Sequence, residues 1–447
     1  MDLLRARNVP FMARPGYVRE AWHLLPWGVV AGMAEGNVAG VVVSKTFQGS
    51  DLLIAIAVAA PLFAKLVSLV WGLVCVGRRK LRVLTLLASA STLCMLSVAM
   101  TPHTPLGGIL FVAQMATAQI FLSGVVTVRT GLWKSNYPPE YRGQITARLQ
   151  LVRLIPSIAA TAAAAQIFDR DPAAYRFVYP LTALCGLVAI HLLQRVRVRG
   201  EASEIRQALG RPANGLSPGL AEPFTLVAML SPGNVIGRMI RVLREDARFA
   251  RYCGALMLIG AGNLMIGPVL LVIVTQELAL GYLVSLSLLE MLPRGLMMVS
   301  LYRWAPYFDR VGVVRFRVAN GACWFSFLAL GTLAALVVVF RERIGPPAPA
   351  LAVALFTASA VARGLGFGSG ALAWNLGHLH FARRQDAEVY MGVHVTLTGL
   401  RGLIMPLLGI WLWTHTGLFA WILATSLSAL GLLGYVAMAR AETPPKR

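Results

Sequence analysis

Twelve apolar runs, each long enough to cross a lipid bilayer, constrain this sequence more than any other feature. A helix needs roughly 20 apolar residues to span the hydrocarbon core. Because lipid cannot hydrogen-bond to exposed backbone groups, each run must be helical. Only 13% of the 447 residues are charged, against about 25% in a typical soluble domain. We predict an all-α integral membrane protein with spans at 21–43, 52–76, 81–100, 106–127, 149–167, 174–194, 249–274, 280–301, 318–340, 349–374, 389–413 and 418–438.

The basic residues alternate between the two sides of these spans. Of the 41 Lys and Arg residues, 32 fall on one side, five on the other and four inside helices. By the positive-inside rule, both termini are cytoplasmic in a multi-pass protein of the cytoplasmic (inner) membrane. The net charge of +22 would suggest nucleic acid in a soluble protein; here it lies in short loops, so we expect no nucleic-acid partner. The side that carries 32 of the Lys and Arg residues comprises both tails, linker 195–251 and loops 77–82, 128–153, 302–317 and 379–388.

A long linker divides the spans into six and six. We predict an N-terminal six-helix half at 1–194, a cytoplasmic linker at 195–248 and a C-terminal half with its tail at 249–447. From Asn234 onward, apolar residues recur at helical spacing beside a stripe of Arg, which predicts a basic amphipathic helix on the inner leaflet. Gly36-Asn37 in the first span and Gly262-Asn263 in the seventh suggest a distant repeat, a design known among transporters.

Three cytoplasmic loops carry a family resemblance. Residues 309–312 read Asp-Arg-Val-Gly, residues 77–79 read Gly-Arg-Arg, and residues 139–143 read Pro-Glu-Tyr-Arg-Gly. In register with the topology, they resemble the loop signatures of the major facilitator superfamily, which implies two six-helix halves with a pseudo-two-fold relation. The first-half loop departs from the pattern, with Val74 in place of the acid, and the fifth span lacks the Gly-Pro-x-x-Gly-Gly element of drug–proton antiporters. Gating-loop candidates are Arg78, Arg79, Arg142, Gly143, Asp309, Arg310 and Gly312.

Six ionisable side chains stand out within the predicted spans. Each costs roughly 2.5–3.5 kcal/mol at mid-bilayer, so each is a functional candidate. The resemblance implies that all six lie on helices lining or flanking a central cavity. Structural roles remain open for each of them. Glu290 and Arg294, at i and i+4, can form an ion pair within one helix. Arg363 and Arg401 can instead hydrogen-bond neighbouring helices, and Glu35 can pair with Lys65. The six are Glu35, Lys65, Glu290, Arg294, Arg363 and Arg401.

Four uncharged or weakly basic residues complete the set of substrate-cavity candidates. Asn37, Gln114 and Asn263 are polar residues within spans, where such side chains also join helices without touching ligand. His394 lies about two turns before Arg401 and is a candidate proton carrier, with a packing role as the alternative.

The six charged candidates comprise four cations and two acids. This excess of positive charge favours an anionic or zwitterionic substrate. We predict a secondary active transporter that moves a small solute by alternating access, with proton coupling through Glu35 or Glu290. The alternative is a non-transporting receptor or assembly partner of the same fold. We expect no enzyme activity, cofactor or metal, since no HExxH motif, nucleotide-binding loop or Cys/His cluster is present. The expected partners are the solute and the bilayer, and the expected state is a monomer.

Overall fold

The computed structural model describes residues 6, 9–35, 37–67, 71, 74–75, 78–209, 232–381 and 387–442. These residues form helices and contain no strand. Short 3-10 or π-helical turns adjoin several of them. The helices are α1 Arg14–Ala34, α2 Val38–Lys45, α3 Asp51–Phe63, α4 Lys80–Leu96, α5 Pro105–Asn136, α6 Pro139–Arg170, α7 Tyr175–Leu193, α8 Glu201–Leu209, α9 Pro232–Glu245, α10 Ala247–Val272, α11 Tyr282–Leu286, α12 Leu292–Val311, α13 Val313–Val339, α14 Arg341–Ile344, α15 Ala348–Leu376, α16 Ala387–Thr416 and α17 Phe419–Ala441.

Ten helices in the described part of the chain are long and apolar enough to cross a membrane. The segment Phe11–Ala34 and helix α2 meet at an angle of 42° and make an eleventh span if they are counted together. Of the predicted span 52–76, the described residues show α3, a 3-10 turn at Ala64–Val67 and three isolated positions. The chain is therefore an all-helical, multi-pass membrane protein, and the count of twelve remains a prediction.

Helices α5 and α6 differ from the expected loop at 128–153. Each has 32 residues, and only Tyr137 and Pro138 separate them. Both helices continue well past the apolar stretches that hydropathy detects, because polar helical turns are stable where protein or water satisfies their side chains. Consequently Arg129 and Arg153, which the loop assignment places outside the spans, lie within helices.

The chain forms two compact units. Unit 1 comprises residues 1–49 and 60–231, and unit 2 comprises residues 50–59 and 232–447. In unit 1, α1 packs directly on α6, because Gly28 and Gly32 leave room for the backbone of Arg153 and Ser157. A Cβ at either glycine would overlap that backbone. Small residues at such crossings are the usual means of close helix packing in membranes.

In unit 2, glycines also allow close packing at several helix crossings. A Cβ at Gly409 of α16 would collide with the Met265 carbonyl of α10. Gly364 of α15 meets the backbone of Pro293 on α12, and Gly262 of α10 meets that of Ala424 on α17. These contacts join α12 to α15 and α10 to α16 and α17, and α13 packs on both α15 and α17 and so connects the two groups.

The basic amphipathic helix predicted from Asn234 is α9. It ends at Glu245, because the Asp246 carboxylate accepts hydrogen bonds from the backbone N–H groups of Arg248 and Phe249 and so begins α10. Val242 is buried against the core of unit 2. Arg248 and Arg251 therefore belong to the following span and not to the amphipathic helix.

Candidate functional site

The first span is interrupted at its candidate site residues. Helix α1 ends at Ala34, Glu35 has extended backbone angles (φ −92°, ψ 135°), and α2 begins at Val38. Side chains from two neighbouring helices satisfy the carbonyl groups at this break. The Gln119 amide donates to the Ala34 carbonyl, and the Thr161 hydroxyl donates to the Gly32 carbonyl. Irregular backbone at membrane depth is tolerated where protein supplies such partners, and transporters place sites at such breaks.

Glu35 forms an ion pair with Arg153 of α6. The Arg153 Nη1 atom lies 2.7 Å from both carboxylate oxygens, and the two side chains are 31% and 24% exposed. The predicted span 149–167 already contained Arg153, so the signal that could have identified it was present. The charge count assigned it to a loop because it lies at the polar end of that run.

The other candidates of unit 1 occupy different surroundings. Asn37 is buried at the start of α2, whereas Lys65 is exposed in the turn after α3. Gln114 accepts a hydrogen bond from Thr101 and donates to the Ser97 carbonyl, so it joins α5 to the turn that ends the preceding span. Such a contact holds helices together.

Sequence reasoning missed a buried charge network at the polar ends of α1 and α5. The Glu20 carboxylate accepts hydrogen bonds from the Trp133 indole N–H and, at 2.6 Å, from the Tyr137 hydroxyl. Burial and the neighbouring Glu20 carboxylate raise the pKa of Tyr137. Arg129 lies close enough to attract Glu20, and its Nη2 atom is 2.8 Å from the Nε2 of His23.

The His23 ring is fixed on both sides. Its Nδ1 lies 2.8 Å from the Ala189 carbonyl, which only accepts hydrogen bonds, while Arg129, at Nε2, only donates. The imidazole is therefore neutral with its proton on Nδ1. The i, i+3 spacing of Glu20 and His23 was the available signal, but their partners come from distant helices.

In unit 2, Glu290 lies in a π-helical turn, Ser287–Met291. It pairs with Arg294, one helical turn later, at 2.9 Å, and both side chains are largely buried. A π-helical turn is frequently found at functional positions of membrane and soluble helices. The ion pair within one helix, which the i, i+4 spacing allowed, is thus present.

Arg363 of α15 lies beside this pair. Its Nη1 atom donates to the Leu289 carbonyl at 3.2 Å, and its guanidinium carbon is 5.6 Å from the ring of Phe327 and 5.2 Å from that of Phe367. Two aromatic faces stabilise a desolvated cation. The cluster of Glu290, Arg294 and Arg363 contains two guanidinium groups and one carboxylate, so its net charge is +1.

Arg401 and His394 lie buried on α16. Arg401 donates from Nη1 to the Leu256 carbonyl at 2.7 Å, and Gly260 makes room for its guanidinium. Its Nε atom is buried without a hydrogen-bond partner, and no described carboxylate contacts it. Both ring nitrogens of His394 are likewise buried and unpartnered, and its ring lies 4.2 Å from that of Trp374.

Two further polar groups belong to this part of unit 2. Arg317, assigned by sequence to a loop, is buried and donates to the Tyr252 hydroxyl, the Ala373 carbonyl and Asn320. The side-chain oxygen of Asn263 is buried without a hydrogen-bond partner. Buried polar atoms without partners are rare and require an explanation.

The gating-loop candidates are mostly exposed. Asp309 and Arg310 form the last turn of α12, and Gly312 ends that helix at φ 74°, a left-handed conformation that glycine favours. Arg78 and Arg79 are exposed before α4. Arg142 and Gly143 lie within α6, and their side chains fall outside the described residues.

Ten membrane-length helices, a broken first span and several buried charges are thus present in the described part of this membrane protein. Its fold is that of solved transporters, one of which is described as a major facilitator superfamily (MFS) proton:xylose symporter. The chain superposes on the D-xylose–proton symporter with a TM-score of 0.63 and 14% identity, over 97% of this chain and 99% of that one. It superposes on the nucleoside transporter NupG with a TM-score of 0.59 and 13% identity, over 96% and 99%.

A third solved structure gives the same fold. The xylose transporter XylE from E. coli, in a partially occluded inward open conformation, matches with a TM-score of 0.59 and 13% identity, over 95% of this chain and 97% of that one. All three of these proteins are transporters. No family model and no curated protein matches the sequence.

Proposed function

We propose that the protein is a secondary active transporter that moves a small anionic or zwitterionic solute across the cytoplasmic membrane by alternating access. It acts as a monomer of twelve spans in two halves, with both termini cytoplasmic. The fold and the charge distribution of the loops support this arrangement. The neighbours named above transport xylose or nucleosides, so the anionic preference rests on this chain's own residues.

The observation that carries the proposal is the buried guanidinium of Arg401. A buried charge without an opposite charge is strongly destabilising, so a chain retains one where a ligand neutralises it. Arg363 adds a second cation that shares Glu290 with Arg294. Guanidinium groups bind carboxylates and phosphates through paired hydrogen bonds. We infer that the solute presents such a group.

Uptake by the purified full-length protein in liposomes tests the proposal. A panel of organic acids is offered with and without a pH gradient, and we expect at least one to accumulate. Arg401→Gln should reduce its uptake about tenfold or more, because a charge-assisted hydrogen bond is lost. Arg401→Lys should retain part of the activity, and the exposed Arg343→Gln serves as the control. Ligand-induced stabilisation without flux would instead support the non-transporting receptor.

We further propose that Glu290 carries the coupling proton. Glu290→Gln should abolish accumulation driven by a pH gradient and leave exchange of labelled for unlabelled solute intact. The double variant Glu290→Gln with Arg294→Gln removes both charges of the pair and controls for an unpaired arginine. Unchanged uphill transport in both variants would contradict the assignment of Glu290 as the proton carrier but would leave the proposed transport function standing.

A further inference from the structure

Two grooves run along the last helix of unit 2, one on each side. The first lies between α10 and α17, and its volume is about 260 Å³. It is lined by the apolar or small residues Ala255, Leu258, Leu430, Gly434, Ala437 and Met438 and by one charged residue, the exposed Arg251 near the start of α10. The residues from Arg251 to Leu258 extend for about 10 Å along the helix axis. The groove is thus apolar along its length and cationic at one end.

The second groove lies between α13 and α17 and has about the same volume, 250 Å³. Its apolar lining residues are Val318, Val436 and Ala439, and its charged lining residues are the exposed Arg315 and Arg440. Arg440 is in the last turn of α17, while Arg251 and Arg315 are near the starts of α10 and α13. All three arginines therefore lie at the same end of this helix bundle, the end that the charge distribution assigns to the cytoplasm.

The three arginines that line the grooves differ from a close neighbour. Arg248, one turn before Arg251, forms an ion pair with Glu442 at 3.2 Å. Among the described residues, Arg251, Arg315 and Arg440 have no carboxylate partner, and Arg251 uses only its Nε atom, to the Ala247 carbonyl. Their charges thus remain available to an external anion.

We propose that the two grooves are binding sites for anionic phospholipid. One acyl chain lies in each groove, and the headgroup phosphate accepts hydrogen bonds from Arg251 in the first and from Arg315 and Arg440 in the second. Basic pockets between membrane helices on the cytoplasmic side bind anionic headgroups in this way, and the guanidinium fork matches a phosphate. The proposal is independent of the transported solute.

Charge also argues against a second copy of the chain as the occupant. A two-fold contact through either groove would bring the same unpaired arginines of two protomers together, since such an interface presents one surface to itself. An anionic lipid instead supplies the missing negative charge and an apolar chain of suitable width.

Thermal unfolding of the delipidated full-length protein tests the charge requirement. Phosphatidylglycerol and phosphatidylcholine with identical acyl chains are titrated separately, and lipid retained by the protein is counted by native mass spectrometry. We expect a saturable rise in Tm with phosphatidylglycerol only. Arg251→Gln, and the pair Arg315→Gln with Arg440→Gln, should each weaken it about tenfold. Arg248→Gln, whose partner is Glu442, should leave the affinity unchanged.

A steric variant tests the groove itself. Ala437→Trp fills the first groove and leaves Arg251 in place, so one bound phosphatidylglycerol should be lost. Leu433→Trp, on the lipid-facing side of the same helix and outside both grooves, is the control. Equal stabilisation by the two lipids, or equal weakening by Arg248→Gln, would overturn the proposal. A lipid-free dimer that Ala437→Trp dissociates would overturn it in favour of a second copy.

Discussion

The two units treat buried charge differently. In unit 1, Glu35 pairs with Arg153, and Glu20, Tyr137, Trp133, His23 and Arg129 form one network between α1 and the C-terminal end of α5, in which the Arg129 Nε atom is buried without a hydrogen-bond partner. In unit 2, Arg401 and His394 keep buried nitrogen atoms without partners, and Arg363 shares one carboxylate with Arg294. A buried cation that faces an acid is neutralised within the fold, whereas one without an acid can still bind an anionic ligand. Arg129 and Arg153 of unit 1 each face a carboxylate, and no described carboxylate contacts Arg401 of unit 2, which supports the proposal that an anionic solute binds in unit 2.

The largest expected effect comes from breaking the unit 1 network. Glu20→Ala should lower the free energy of unfolding by about 3–5 kcal/mol, because Arg129 is then buried without its acid. Chemical denaturation of the detergent-solubilised protein measures the change. Glu442→Ala in unit 2, which removes a half-exposed partner of Arg248, should cost no more than about 1 kcal/mol. Similar losses for both variants would contradict the contrast between the units.

The next effect is a pH dependence in unit 2. Burial lowers the pKa of His378, whose Nδ1 has no hydrogen-bond partner. The unfolded chain therefore takes up this proton first as the pH falls below about 6.5. The contribution of His378 to the free energy of unfolding is therefore fully present above pH 6.5. It declines below that pH by at most about 1.4 kcal/mol per pH unit.

Measuring Tm between pH 7.5 and 5.5 checks this assignment. The variant His378→Gln should show a shallower decline than the wild-type protein, and the exposed His415→Gln serves as the control. If the two variants decline in parallel with the wild type, His378 is not the titrating group.

A smaller effect is expected at the Glu35–Arg153 pair. Because both side chains are partly exposed, Glu35→Gln should cost about 1 kcal/mol or less. A double-mutant cycle with Arg153→Gln isolates the coupling between the two residues. A coupling energy near zero would show that the pair contributes nothing to holding α1 against α6.

The smallest stability effect should come from Arg401→Met. Replacing an unpaired buried charge by an apolar side chain of similar length is neutral or stabilising, so the Tm should stay equal or rise while liposome uptake is lost. A marked fall in Tm would mean that Arg401 is a structural strut and that the proposed solute site lies elsewhere.

Hydropathy predicted the long helices of the chain well. It failed at the helix ends, where polar turns of α5 and α6 extend past the apolar run and carry Arg129 and Arg153. The pairing of Glu290 with Arg294 was readable from their i, i+4 spacing, since a helix fixes that distance. The pairing of Glu35 with Arg153 was not, because residues far apart in one sequence meet only through tertiary packing.

The interruption at Glu35 also determines how movement passes along the first span. A continuous helix moves as one rod, but α1 packs mainly on α6 and α7, whereas α2 packs on α5. The two pieces share α5 as a neighbour, through the Gln119–Ala34 hydrogen bond for α1, and they meet at an angle of 42°. We therefore expect α1 to follow any displacement of α6 and α7, and this span to bend at Glu35.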